Sequence, residues 1–206
     1  MSSLPRFQTI PSRRSMVLDP PMSDEEFEAL CLRNRDVHFE RTSEGEIRMN
    51  PPTGGMTGDG NSEINHQLRG WWDTHLEGRV FGNDTGFFLP DGSMLSPDAA
   101  YVLPVQLKGL KRAQLTGLLR LCPAFVIELL SPTDSLAETR RKMRSWIANG
   151  AQLGWLIDPD RRRVIVYQPE KEPIESTALK LDGSGPIDGF SLDLSKVWRC
   201  YQVRDE

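Results

Sequence analysis

The spacing of hydrophobic positions changes several times along the chain, and each change predicts a different element. After Ser23, the residues Phe27, Leu30 and Cys31 recur at helical spacing, and Ser23 with Glu26 forms a capping box at the helix start. In "VHFERTSEGEIRM" apolar and polar residues alternate on both sides of Glu44-Gly45. That pattern predicts a hairpin with Phe39 and Ile47 turned inward. "NPPTGGMTGDGN" carries neither period. It reads as a mobile glycine-rich connector, and without a GK[ST] ending it is not a phosphate-binding loop. Helical spacing returns from about Ser62 to Leu76, where Ile64, Leu68, Trp71, Trp72 and His75 make a buried face.

In the second half, "VFGNDTGFFLPDGSMLSPDAAYVL" has two strand-like arms around an Asp91-Gly92 turn. "QLKGLKRAQLTGLLR" reads as a partly helical surface segment. From Ala124 to Leu130 every side chain is apolar except Glu128, which predicts a strand buried on both faces. A helix follows from Leu136 to Asn149, started by Ser135 and Glu138 and stopped by Gly150. Its buried stripe is Leu136, Met143 and Ile147, with Trp146 on the flank. "LGWLID", a Pro159-Asp160 turn and "RRVIVYQ" make a final hairpin, suited to pairing at a sheet edge. Strands flanked by two main helices predict an α/β protein with a mixed sheet. Residues 1–21, with several prolines and little periodicity, read as an N-terminal arm, and 22–206 as a single domain.

Bulk composition narrows the functional classes. The 206 residues are 38% hydrophobic and 26% charged, which is ordinary for one globular domain with a real core. A net charge of −4 gives no overall basic field toward nucleic acid or anionic membrane. The dispersed thiols Cys31, Cys122 and Cys200 fit a reduced, cytoplasmic protein better than a disulfide framework. No apolar run is long enough to span a bilayer.

Against this background Glu128 stands out, because a carboxylate among apolar neighbours must be paired, protonated or bound to a metal. Asp98, after Pro97 and before the strand "AAYVL", is either a turn cap or a second acid beside it. Lys142 lies in the basic run "RRKMR", so it is either a solvated lysine or an amine at the edge of the buried stripe. A helix folded back over the Glu128 strand would bring this amine to both acids. Two acids on neighbouring strands with a lysine nearby can hold a divalent cation and position a water. Glu40, ending the strand "VHFE", adds a carboxylate or pairs with an arginine such as Arg41. His66 and His75, nine residues apart, fall on opposite sides of their helix and cannot share a zinc. GxSxG, HExxH and Cys-His patterns are missing from the sequence.

Taken in order, "SPDAAYV", "FVIELLSPTDSL", the Lys142-Met143 pair, "IANGAQLGWLIDP" and "VIVYQP" resemble the Uma-two family within the PD-(D/E)xK nuclease superfamily. The likeness runs from about Ser23 to the closing "GFSLDLSKVW". It implies a restriction-endonuclease-like core, a mixed β-sheet flanked by helices with the active residues at one sheet edge. By position, Pro97-Asp98 is the PD pair and Glu128 the acid of the ExK element. Leu130 occupies the usual lysine position, so the resemblance moves that role to Lys142 on the next helix. Glu40 matches a recurrent family glutamate. The implied function is Mg2+-dependent endonucleolytic cleavage of DNA, with Mn2+ able to substitute, and Asp98, Glu128 and the Leu129 carbonyl as metal ligands. Arg140, Arg141, Arg144 and Arg161 to Arg163 are candidates for phosphate contacts. A homodimer would present two sites to a duplex. The alternatives are an inactive nuclease-fold module that binds nucleic acid or a protein partner, and a metal-dependent enzyme acting on another phosphodiester.

Overall fold

The computed structural model describes residues 15–18 and 21–202. Its first half runs β1 (Ser15–Met16), α1 (Asp24–Arg33), β2 (His38–Arg41), β3 (Ile47–Asn50), α2 (Gly55–His75), β4 (Arg79–Gly82), β5 (Phe87–Phe88), β6 (Met94–Leu95) and β7 (Ala99–Val102). The second half adds α3 (Pro104–Leu107), α4 (Arg112–Thr116), β8 (Phe125–Leu129), α5 (Leu136–Ala148), β9 (Leu153–Asp158), β10 (Arg163–Tyr167), β11 (Ile174–Ser176), β12 (Lys180–Asp182), β13 (Ser191–Asp193) and α6 (Leu194–Arg199). The main sheet has the order β11-β10-β9-β8-β7-β4. Within it β8 and β9 are parallel and the other pairs antiparallel, so the sheet is mixed, as the pattern predicts. A second sheet has the order β1-β3-β2-β6-β5.

Strand β8 is buried along its whole length. Phe125, Ile127 and Leu129 pack on one side with Ile64 and Leu68 of α2 and with Val197 and Trp198 of α6. Val126, on the other side, packs with Met143 and Trp146 of α5. Period-two alternation therefore turns Glu128 toward α5. This helix lies close against β9 because Gly154 has no side chain: a Cβ there would meet the Met143 methyl carbon at 2.4 Å. Any larger residue at 154 would force the Met143 side chain, which follows Lys142 directly on α5, to shift.

Several local expectations hold. The capping box of α1 is formed, with the Ser23 N–H donating to Glu26 Oε2 at 2.9 Å and the Glu26 N–H to Ser23 Oγ at 3.2 Å. The β2–β3 hairpin buries Phe39 and Ile47 against Phe27 and Leu30. The Asp91-Gly92 turn joins β5 to β6, with Gly92 at a φ of 83°.

Others are corrected. The glycine-rich connector is helix from Gly55 onward, so α2 begins well before Ser62. One of its glycines serves close packing: a Cβ on Gly60 would stand 3.0 Å from both Leu129 and Tyr201 side chains. Burial of Thr57, Gly60 and Asn61 offsets the helix-propensity cost of about 1 kcal/mol per glycine. His75 is exposed rather than buried. Ser135 makes no side-chain cap to α5, and Trp146 lies fully buried beside Met143 rather than on the flank. The β9–β10 hairpin forms, but β11 covers β10, so this hairpin does not end the sheet. Of the N-terminal arm, residues 15–16 pair with β3; residues 1–14 and 19–20 lie outside the described residues. Among the described residues no helix is long and apolar enough to cross a membrane, and Cys31, Cys122 and Cys200 are unpaired.

Candidate active site

Four elements deliver the candidate residues to one place. Phe39 turns toward α1, so the next residue of β2, Glu40, faces the opposite way. Asp98 stands where β7 begins, Glu128 comes from β8, and Lys142 from the middle of α5. All four line a cleft of about 750 Å³, together with the β2–β3 hairpin, residues 50–54 and the loop 131–135.

Lys142 is the hub. Its Nζ lies 2.8 Å from Glu40 Oε1, 3.0 Å from Glu128 Oε2 and 2.7 Å from the Ser96 carbonyl oxygen. An ammonium has three N–H donors, so each has an acceptor here. The Ser96 N–H in turn donates to Glu40 Oε1 at 3.0 Å, and the buried Trp146 donates its Nε1–H to Glu128 Oε1 at 2.8 Å.

Asp98 extends the β7–β8 ladder with its side chain. Its own N–H donates to the Ile127 carbonyl at 3.0 Å, the next rung after Ala99. Its carboxylate Oδ2 then accepts the Leu129 N–H at 2.7 Å, where a strand would offer a carbonyl. The N–H and C=O of a strand residue point to the same side, so the Leu129 carbonyl also faces the Asp98 side. Asp98 Oδ1 accepts from Asn61 Nδ2 at 3.0 Å. Leu130 is buried in the core with Val126, Met143 and Trp146, where a lysine ammonium would have no water.

Three carboxylates and one ammonium leave an excess of buried negative charge, and the proton affinities register it. Burial pushes the Glu128 carboxyl up to about 8, against the pull of Lys142 and with Asp98 and Glu40 adding to the rise. Burial also raises Asp98, although Lys142, the Leu129 N–H and Asn61 oppose it. For Glu40, burial is more than offset by the Lys142 ammonium and by hydrogen bonds from Lys142 and Ser96, so its carboxyl lies below the usual range. Lys142 is disfavoured by burial but held charged by Glu128, Glu40 and Asp98.

This donor set suits a small divalent cation. The oxygens are hard, two of the carboxylates resist ionisation until a further positive charge arrives, and each Asp98 oxygen retains a lone pair beyond its one hydrogen bond. Among the described residues no three His, Cys, Asp or Glu side chains form a ready cage. That is compatible with Mg2+, which typically takes one or two carboxylates and keeps several waters.

The Uma2 family model, with the description "Putative restriction endonuclease", matches residues 24–195. The chain belongs to the Uma2 family. A solved structure named as a putative nuclease belonging to DUF820 from Anabaena variabilis is similar, with a TM-score of 0.71 and 23% identity over 88% of this chain and 100% of that one. At that identity the likeness concerns the fold, and it agrees with the mixed sheet flanked by helices. No curated protein matches the chain.

For this Uma2 member, the arginines singled out as phosphate contacts divide. Arg163 donates to Asp158 at 3.1 Å and to Glu175 at 2.7 Å, Arg140 to Glu175 at 3.0 Å and Arg161 to Asp158 at 3.3 Å. These pairs join α5, β9, β10 and β11. Arg141 pairs with Glu138 within α5, and Arg144 is exposed. Sequence reasoning missed three contributors: Asn61, Ser96 and the Trp146 indole. Asn61 was hidden by the glycine-rich stretch around it. Trp146 had a legible signal, since it follows Lys142 by four residues and so shares its helix face.

The raised carboxyls predict an unusual stability profile without metal. Glu128 keeps its proton in the folded chain up to about 8, while its ordinary value is 4.5. Between these values the folded state binds more protons than the unfolded state, so stability falls as pH rises through that window. Asp98 acts in the same direction. Glu40, held low, contributes stability that is lost only as pH falls below its ordinary range. Metal-free protein is therefore expected to melt at a higher temperature at about pH 6 than at about pH 8.5, with the slope flattened in Glu128→Gln. Melting temperatures that rise over this interval in metal-free buffer would contradict the buried-acid assignment.

Proposed function

We propose that the chain is a divalent-metal-dependent endonuclease that hydrolyses DNA phosphodiester bonds, with residues 22–206 acting as one domain. The observation that carries this reading is the convergence of Glu40, Asp98 and Glu128 with one ammonium, that of Lys142, on the floor of an open cleft. Asp98, Glu128 and the Leu129 carbonyl would hold Mg2+, or Mn2+ in its place. The bound ion would supply Lewis-acid polarisation of a phosphoryl oxygen and a lowered pKa for bound water.

The protein's own groups supply the rest. Lys142 presents a fixed positive charge to the phosphate oxygens as their charge grows, and can turn one N–H to the attacking water once the cation draws Glu128 away. Glu40 and the Ser96 carbonyl hold that ammonium in place, so little reorganisation is needed when the phosphate arrives. The Trp146 indole fixes the rotamer of Glu128 from the dry side of α5. The cleft is also lined by Asp134 and by Glu46 and Glu138, the last two paired with Arg48 and Arg141, so with Glu40, Asp98 and Glu128 its acids outnumber its cations until a metal is bound. This makes the reading metal-first.

The protein acts as a cytoplasmic homodimer in this proposal, since a duplex break needs two sites. Plasmid incubated with purified protein is expected to be nicked or linearised with Mg2+ or Mn2+ and to stay intact with chelator, while light scattering gives the dimer mass. Plasmid that is retarded on a gel but uncut under every metal condition would leave the alternative, a nuclease-fold module that binds without cleaving.

A further inference from the structure

We infer that Asn61 is a positioning residue of the metal site, and that the first turns of α2 form part of the active-site wall. The inference rests on the proposed metal-dependent reading and adds to it a residue outside the four acidic and basic positions. Asn61 is 5% exposed, inside the segment whose composition reads as a loop. Its Nδ2 donates to Asp98 Oδ1 at 3.0 Å. One turn later Asn65 donates its Nδ2 to the Asp98 carbonyl at 3.0 Å and to the Asn61 carbonyl at 2.9 Å. Two asparagines on one helix face thus grip the side chain and the main chain of the same aspartate. With the Leu129 N–H on Oδ2 at 2.7 Å, the carboxylate is held by a donor on each oxygen and cannot rotate.

The other end of the Asn61 amide is unusual. Its Oδ1 is buried and has no hydrogen-bond partner among the described residues. A buried amide oxygen without a donor is costly, and native structures rarely keep one without reason. An asparagine serving only to fix α2 to the sheet would use both ends of its amide, as Gln67 does. Gln67 Nε2 donates to Glu63 and to the Asp193 carbonyl, and its Oε1 accepts the Asp193 N–H. Asn61 instead spends its donor on the Asp98 carboxylate and leaves an acceptor over. The amide lies behind Asp98 rather than in the cleft, so its one polar contact is the grip on that carboxylate. The close fit of Gly60 against Leu129 brings α2 near enough for Asn61 to reach Asp98.

The test is Mn2+ binding to full-length protein by calorimetry, with melting temperatures measured in chelator. Asn61→Leu keeps the branched heavy-atom skeleton and removes both ends of the amide. It is expected to weaken Mn2+ affinity roughly tenfold or more, as loss of a partner to a metal ligand does elsewhere. Its metal-free melting temperature should stay near that of wild type, because removal of the unsatisfied oxygen offsets the lost hydrogen bond to Asp98. Excess Mn2+ should recover much of kcat, with KM for DNA unchanged. Asn61→Ala gives the same reading should leucine disturb packing beside Gly60. Gln67→Ala, a structural control, should lower melting temperature and leave Mn2+ affinity alone. Wild-type affinity in both Asn61 variants overturns the positioning role while leaving the metal site standing. A wild-type protein that binds no Mn2+ overturns both.

Discussion

Lys142→Ala is expected to slow metal-dependent DNA cleavage by about a hundred- to a thousandfold or more, the range seen when a preorganised partner of transition-state charge is removed. In the structure its ammonium bridges Glu40 and Glu128, so the substitution also leaves two buried acids without their counter-charge. Glu128 answers by keeping its proton, and the loss of stability is therefore expected to be larger at about pH 8.5 than at about pH 6. Mn2+ affinity should change little or improve, since a competing positive charge is gone. This separation of catalysis from metal binding distinguishes the role from a purely structural ion pair. Single-turnover cleavage and Mn2+ calorimetry on the same preparation check it. A Lys142→Ala protein that cleaves like wild type ends the assignment of Lys142 as the displaced lysine.

The second large effect is expected at Asp98. Asp98→Ala should abolish metal-dependent cleavage and the stabilisation that metal confers. A ligand bound only to the folded state stabilises it by about 2.7 kcal/mol at a hundred times its dissociation constant, so the wild type should show a clear Mg2+-dependent rise in melting temperature. The variant should show little or none. Relief of repulsion among the acids by itself would leave the metal-free variant as stable as wild type or more so. The structure changes that expectation, because alanine strands the Leu129 N–H and the Asn61 amide, which accounts for a loss of about 1–3 kcal/mol. Asp98→Asn keeps an acceptor oxygen and should lose cleavage with a smaller loss of stability. Equal Mg2+ shifts in the wild type and both variants would remove Asp98 from the metal site.

Much of the fold was legible in the chain because it is encoded locally. The alternation around Glu44-Gly45 specified the β2–β3 hairpin and its inward residues Phe39 and Ile47. The capping box of Ser23 and Glu26 specified the start of α1. The uninterrupted apolar run around Glu128 specified a strand covered on both faces, and with it a carboxylate in need of a partner. Each of these depends on residues a few positions apart, where backbone sterics and side-chain period act directly.

The partners of that carboxylate were decided only by tertiary structure. Glu40, Ser96, Glu128 and Lys142 meet because β2 carries Glu40 away from its own core, β8 lies beside β7, and Gly154 lets α5 settle onto β9. Composition misassigned the start of α2, since glycine favours loops in isolation while close packing against Leu129 and Tyr201 requires it in this helix. Asn61 was lost with that segment. Trp146 was displaced from flank to centre by the rotation of α5 about its axis, which apolar spacing alone leaves free by tens of degrees. Local sequence determines which face of an element is buried. Which buried groups confront one another depends on sheet order, helix rotation and close approach, all set by contacts between residues far apart in the chain.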